Sequence, residues 1–216
     1  MKKSHIKIFS TLIPLTIRKK IWRATPKFYK LNTYRLDNPT IISNLLRIDE
    51  KFLIRFINNE DEAELKIFYS NNNVYEKIVV YRLIFDEWKG LAVFDKNTMR
   101  IAYMAWIIDK SIEYFEEFGV TLSQGQFLLK DGQCKEEYRH QGLHTRMEQE
   151  RINYCVMNNA KEVFIQIHDS NKKGIESVLN NGYNPYKQNY VISWPIFNVF
   201  RPLGAFLKNP LKKVVK

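Results

Sequence analysis

The sequence predicts an α/β fold with a mixed central sheet flanked by helices, on three observations. Strand-like and helix-like segments alternate along most of the chain. One strand runs into an Arg- and Gly-containing turn that opens a helix, and a second short apolar strand is followed by Asn, a helix and a Gly-Tyr pair.

Taken in order, residues 27–36 read as a strand, and 41–58 and 61–70 carry helical periodicity. Residues 77–85, 90–95 and 100–108 read as strands, with Asp95, Lys96, Asn97 and Thr98 as turn residues joining the last two in a hairpin. The stretch 126–134 is a further strand and 143–157 a helix. Then come a short buried strand at 163–168, a helix at 172–180 ended by Asn181-Gly182, and a last strand at 190–194. No repeat, low-complexity block or flexible interdomain linker is visible. One domain is expected over 27–194, with a basic aromatic arm at 1–26 and a basic aromatic tail at 195–216.

The junction from Gln133 and Cys134 through Arg139, His140, Gln141, Gly142, Leu143, His144 and Thr145 carries chemistry. Where a strand ends in a turn that becomes the first turn of a helix, unpaired backbone N–H groups and the positive helix end converge on one point suited to phosphate. Gly142 permits close backbone approach and Arg139 adds a cation that pairs with phosphate oxygens.

On these residues the chain resembles the GNAT superfamily of acetyl-coenzyme A-dependent N-acyltransferases, whose pyrophosphate loop reads Arg/Gln-x-x-Gly-x-Gly/Ala. Arg139 and Gly142 match, and His144 stands where Gly or Ala is usual. A second block, Asn171 followed by a helix and Gly182-Tyr183, also resembles the family. The resemblance covers residues 75–194 and is most specific over 124–183. It implies a sheet whose fourth and fifth strands splay apart to admit an acyl-pantetheine arm, acetyl-coenzyme A as acyl donor and no metal. It also implies Gln133, Cys134, the loop 139–145 and Asn171 as the coenzyme A-binding residues.

The family often carries a Tyr seven residues after that Asn to protonate the departing thiolate, and this chain has Val178 there. Ser177, Tyr183 and water are the substitutes, since a thiolate of ordinary pKa takes a proton from water readily. For the base that deprotonates the acceptor amine, strand alternation offers His168, sharing a face with Gln166, and Asp131, sharing a face with Gln133. A backbone N–H near Cys134 would polarise the thioester carbonyl.

Charge divides the chain. Residues 1–30 hold nine Lys or Arg and residues 195–216 hold five, with no acid in either. Removing these 14 cations from the net +11 leaves the middle at about −3. Both ends also carry apolar aromatics, Trp22 on one side and Phe197, Phe200 and Phe206 on the other. This composition suits an anionic membrane surface better than nucleic acid, for which no recognisable module is present. Packing of these aromatics back on the domain is the bland alternative. The longest uncharged run near the C-terminus, 13 residues from Gln188 to Phe200, is too short to span a bilayer. Two cysteines without metal-ligand spacing suit a reducing compartment.

The stretch from Leu12 to Lys20 is similar in style to the start of many bacterial surface-polysaccharide enzymes, which implies an amino-sugar acceptor. The expected protein is a cytoplasmic acyltransferase, peripheral at the inner membrane face. It moves an acetyl or related acyl group from coenzyme A to an amine, in first place an amino sugar of a surface-glycan precursor. A protein or peptide amine acetyltransferase and a non-catalytic membrane- or nucleic-acid-binding module of the same fold stay open as alternatives.

Overall fold

The computed structural model describes residues 25–70, 88–110, 120–194 and 199–202. The expected strand at 77–85, most of the N-terminal arm and most of the C-terminal tail lie outside them. The chain divides into two compact units, residues 32–188 and residues 1–31 with 189–216.

The elements follow the chain as β1 (Lys27–Asp37), β2 (Phe52–Phe56), α1 (Glu62–Tyr69), β3 (Lys89–Asp95), β4 (Arg100–Ile108), β5 (Gln126–Cys134), α2 (Leu143–Met157), β6 (Glu162–His168), α3 (Lys172–Asn180), β7 (Asn184–Trp194) and β8 (Val199–Pro202). In the larger unit they build a mixed α/β sheet of order β2-β3-β4-β5-β6-β1-β7. The pairs β2–β3, β3–β4 and β4–β5 are antiparallel and β5–β6 is parallel. The first strand of the chain therefore lies inside the sheet, between β6 and β7. In the smaller unit β7 pairs antiparallel with β8 from Val191 opposite Pro202 to Trp194 opposite Val199, so a strand forms within the predicted tail.

Cross-strand partners share a face, and this sorts the core. One face carries Met104, Trp106, Ile108, Leu128 and Phe164 and packs under Leu65, Phe68 and Tyr69 of α1. The opposite face carries Tyr103, Ile107, Phe127 and Leu129 and packs against Leu143, Met147, Ile152 and Cys155 of α2 and Val178 of α3. At about 25 cal/mol per Å² of apolar surface, these buried clusters are the main favourable term holding both helix layers to the sheet.

One expected element is corrected. Residues 41–58 form no helix: an extended connection leads into β2. The apolar spacing of Ile42, Leu45, Leu46 and Ile48 suits a helix, but both backbone polar groups of Ile42 bond the Asn153 side chain, at 2.7 and 3.0 Å. Leu46 is held likewise, its N–H by Gln149 at 2.8 Å and its carbonyl by Arg146 at 2.8 Å. Side chains at positions 146, 149 and 153 line one flank of α2 and supply the bonds a helix would have made internally, so tertiary pairing overrides local periodicity.

Candidate active site

β5 is where the regular sheet breaks. Lys130 pairs with Trp106 and Gln133 with Met104, leaving Asp131 and Gly132 together opposite Ala105. This is a β-bulge, with Asp131 at φ 49°. It corrects the alternation reading, because Gln133 lands on the face of Lys130 instead of sharing one with Asp131. A Cβ on Gly132 would collide with the Tyr103 hydroxyl, so a larger residue there would have to displace that ring.

Beside the bulge, β5 and β6 part. Their parallel register runs from Gln126 opposite Glu162 to Leu129 opposite Ile165 and ends there. Beyond that point Lys130 Nζ donates across to Gln166 Oε1 at 3.2 Å. The gap lies between Lys130–Cys134 on one side and Gln166–His168 on the other.

The phosphate-loop residues follow directly. A short 3₁₀ turn, Glu136–Tyr138, leads to Arg139, then to His140 at φ 62° and Gly142 at φ 74°. Gly142 is the N-cap of α2 and supplies no side-chain cap. The N–H groups of Leu143, His144 and Thr145, in the first helical turn, have no intrahelical acceptor. Arg139 is exposed, its guanidinium 3.8 Å from the Glu136 carboxylate. Gln141 reaches back to the Glu137 carbonyl at 3.4 Å, and Leu143 is buried in the core. The space a Cβ on Gly142 would claim is filled by Leu46, 2.9 Å away, so the connection after β1 walls the loop on one side.

His144, where the loop motif usually has a small residue, is held by Tyr103: the hydroxyl lies 2.8 Å from Nδ1. Burial of the His144 ring lowers its pKa, an effect larger than the opposing attraction of Glu148 and reinforced by repulsion from Arg151. Behind it lies a polar cluster that the sequence reading missed. Arg151 and Glu148 form an ion pair of 2.6 Å with side chains 2% and 4% exposed, and the Tyr183 hydroxyl donates to Glu148 at 3.3 Å. Burial drives the Tyr103 and Tyr183 pKa values up. Tyr103 hides in an apolar run and Glu148 and Arg151 in a charged helix, so their i,i+3 spacing on α2 was the one available signal.

The remaining residues take structural places. Tyr183 is a core side chain engaged by Glu148, and Val178 fills the same core. Ser177 is half-buried on α3. Asn171 caps α3, accepting from the Gly174 N–H at 3.0 Å. His168 closes the turn after β6, its Nδ1 lying 2.6 Å from Ser170 Oγ and accepting from the Ser170 N–H at 3.1 Å. Cys134 is partly buried, which raises its pKa, and burial raises that of Cys155 to about 12, so neither is an activated thiol.

No family model and no curated protein matches the sequence. Solved structures do match the fold. A tandem GNAT protein from the clavulanic acid biosynthesis pathway aligns with TM-score 0.59 at 11% identity, over 77% of this chain and 53% of that one. A GCN5-related N-acetyltransferase from Sphaerobacter thermophilus aligns with TM-score 0.55 at 11% identity, over 83% and 55%. A GCN5-related glucosamine N-acetyltransferase region of a fungal multi-domain β-N-acetylglucosaminidase aligns with TM-score 0.60 at 8% identity, over 82% and 22%. The chain spans about half the length of the first two and less of the third. With its mixed sheet, parted β5 and β6, and loop opening α2, the chain carries the GNAT superfamily fold.

Proposed function

We propose that the protein is an N-acyltransferase that moves an acetyl or related acyl group from coenzyme A to an amine, with an amino sugar as the favoured acceptor. The observation that carries this is the end of β5–β6 pairing at Leu129 and Ile165, in a strand that leads directly into the loop at Arg139–Thr145. One ligand with a pyrophosphate and a strand-like acyl arm satisfies both features. The N–H groups of Leu143 to Thr145 and the Arg139 guanidinium would hold the pyrophosphate. The backbone edge of Gln133 and Cys134 would pair with the pantetheine arm.

In this reading a backbone N–H near Cys134 polarises the thioester carbonyl and the acceptor nitrogen adds to it. The tetrahedral adduct then collapses, breaking the C–S bond and leaving its electron pair on sulfur. Asp131 in the bulge and His168 at the end of β6 are the residues nearest the gap for removing the amine proton. With Tyr183 committed to Glu148, water supplies the thiolate proton. The fungal structural neighbour described as a glucosamine N-acetyltransferase is consistent with an amino-sugar acceptor.

Calorimetric titration with acetyl-coenzyme A tests the donor site. Arg139→Glu, at an exposed position, and Gly142→Trp are each expected to weaken binding at least tenfold, about 1.4 kcal/mol, with circular dichroism unchanged. Because a side chain on Gly142 also displaces Leu46, Leu46→Ala serves as the control and should keep its affinity. Unchanged affinity in folded Arg139→Glu and Gly142→Trp would overturn the assignment.

We also propose that the basic aromatic ends hold this cytoplasmic enzyme at an anionic membrane surface. No helix among the described residues is long and apolar enough to cross a bilayer. Sedimentation with vesicles is expected to rise with acidic lipid and fall with salt, since each nearby cation contributes roughly 1 kcal/mol, screened over about 10 Å at 0.1 M ionic strength. Indifference to acidic vesicles at low salt would remove the membrane reading.

A further inference from the structure

We propose that the acceptor is a small hydroxylated amine and that it binds in a cavity formed by β1 and β7. This rests on the acyl-transfer reading and assigns its second substrate a place. The cavity has a volume of about 400 Å³, opens to solvent and is lined by Asn32, Thr33, Tyr186, Lys187 and Gln188 among others. That volume falls within the range of small-molecule sites, roughly 300–1,000 Å³.

The Tyr186 ring packs 5.3 Å from that of Phe164 in the core under α1, and Tyr34, from the core shared with α2 and α3, lines the cavity as well. A chain of polar contacts joins cavity to gap: Thr33, 1% exposed, accepts from Gln166 Nε2 at 3.4 Å, and Gln166 Oε1 accepts from Lys130 Nζ beside the bulge.

The lining chemistry selects the substrate class. Tyr186 offers a half-exposed ring, suited to the C–H face of a sugar-like ring, flanked by the amide pair Gln188 Nε2 to Asn32 Oδ1 at 2.7 Å. Lys187 lines the cavity, and the Arg35 guanidinium lies 5.1 Å from the Tyr186 ring centroid. The nearby carboxylates, Asp37 and Glu162, are already paired to Arg35 at 2.8 and 3.1 Å. A polyol can both donate to and accept from the Asn32 and Gln188 amides, whereas the ammonium groups of a polyamine or lysine-rich peptide only donate.

The experiment measures thiol release from acetyl-coenzyme A with glucosamine-type amino sugars and their phosphates, against spermidine and a lysine-rich peptide, with acetyl-coenzyme A affinity followed separately by calorimetry. The hydroxylated amines should be the better acceptors. Tyr186→Ala and Gln188→Leu, both at surface positions, should each raise the amino-sugar KM at least tenfold, about 1.4 kcal/mol, with kcat and donor affinity within about twofold. Absence of acetyl-coenzyme A binding in the parent would sink the acyl-transfer reading itself. With donor binding intact, the acceptor cavity is overturned by preference for the cationic amines, by no release with any hydroxylated amine, or by unchanged KM in both variants.

Discussion

Glu148→Ala is expected to destabilise the protein by about 3–5 kcal/mol, because it leaves the Arg151 guanidinium buried without its counter-charge. Arg151 is 2% exposed, and its Nε has no hydrogen-bond partner among the described residues. Its bond to Glu148 is thus its main compensation. Tyr183 would also lose the acceptor for its hydroxyl, adding the cost of an unsatisfied buried donor. Urea denaturation measures the effect. Replacing both partners by apolar residues, Glu148→Leu with Arg151→Met, should recover most of the loss, since the desolvation penalty then disappears. A loss below about 1 kcal/mol in Glu148→Ala would put the pair in the class of solvent-screened surface bridges and contradict the burial.

A chain beginning at residue 38 should lose cooperative unfolding, whereas one beginning at residue 25 is the reference that keeps β1. Between β6 and β7, β1 is tied by Gln166 to Thr33, Gln188 to Asn32, Arg35 to Glu162 and the Asn38 N–H to the Lys161 carbonyl at 2.8 Å. Removing it would open two strand edges in the middle of the sheet and strip Tyr34 from the core shared by α2 and α3. Circular dichroism and a denaturant titration decide it. An unfolding transition for the 38–216 chain as sharp and as late as that of the 25–216 chain would show that β1 is an addition to the sheet and no part of its structure.

Local sequence determined the elements whose signals do not depend on distant partners. The alternating apolar runs became β3, β4 and β6, and the Asn171 cap and Gly182 bound α3 as expected. Gly142 marked the opening of α2 because a left-handed N-cap ahead of a helix is cheap for glycine alone. Tertiary structure decided the rest. The segment 41–58 has a helix-like pattern, but the amides of Gln149 and Asn153 and the Arg146 guanidinium, more than 90 residues away, claim its backbone. The bulge at Asp131–Gly132 shifts alternation by one residue, and the Tyr103 hydroxyl it packs over belongs to another strand. The placement of β1 inside the sheet, and with it the cavity facing β7, depends on pairing between strands far apart in the chain. Strand pairing is a long-range choice made by the assembled core, and a one-dimensional pattern of polar and apolar residues specifies which face of a strand is buried without naming its neighbour.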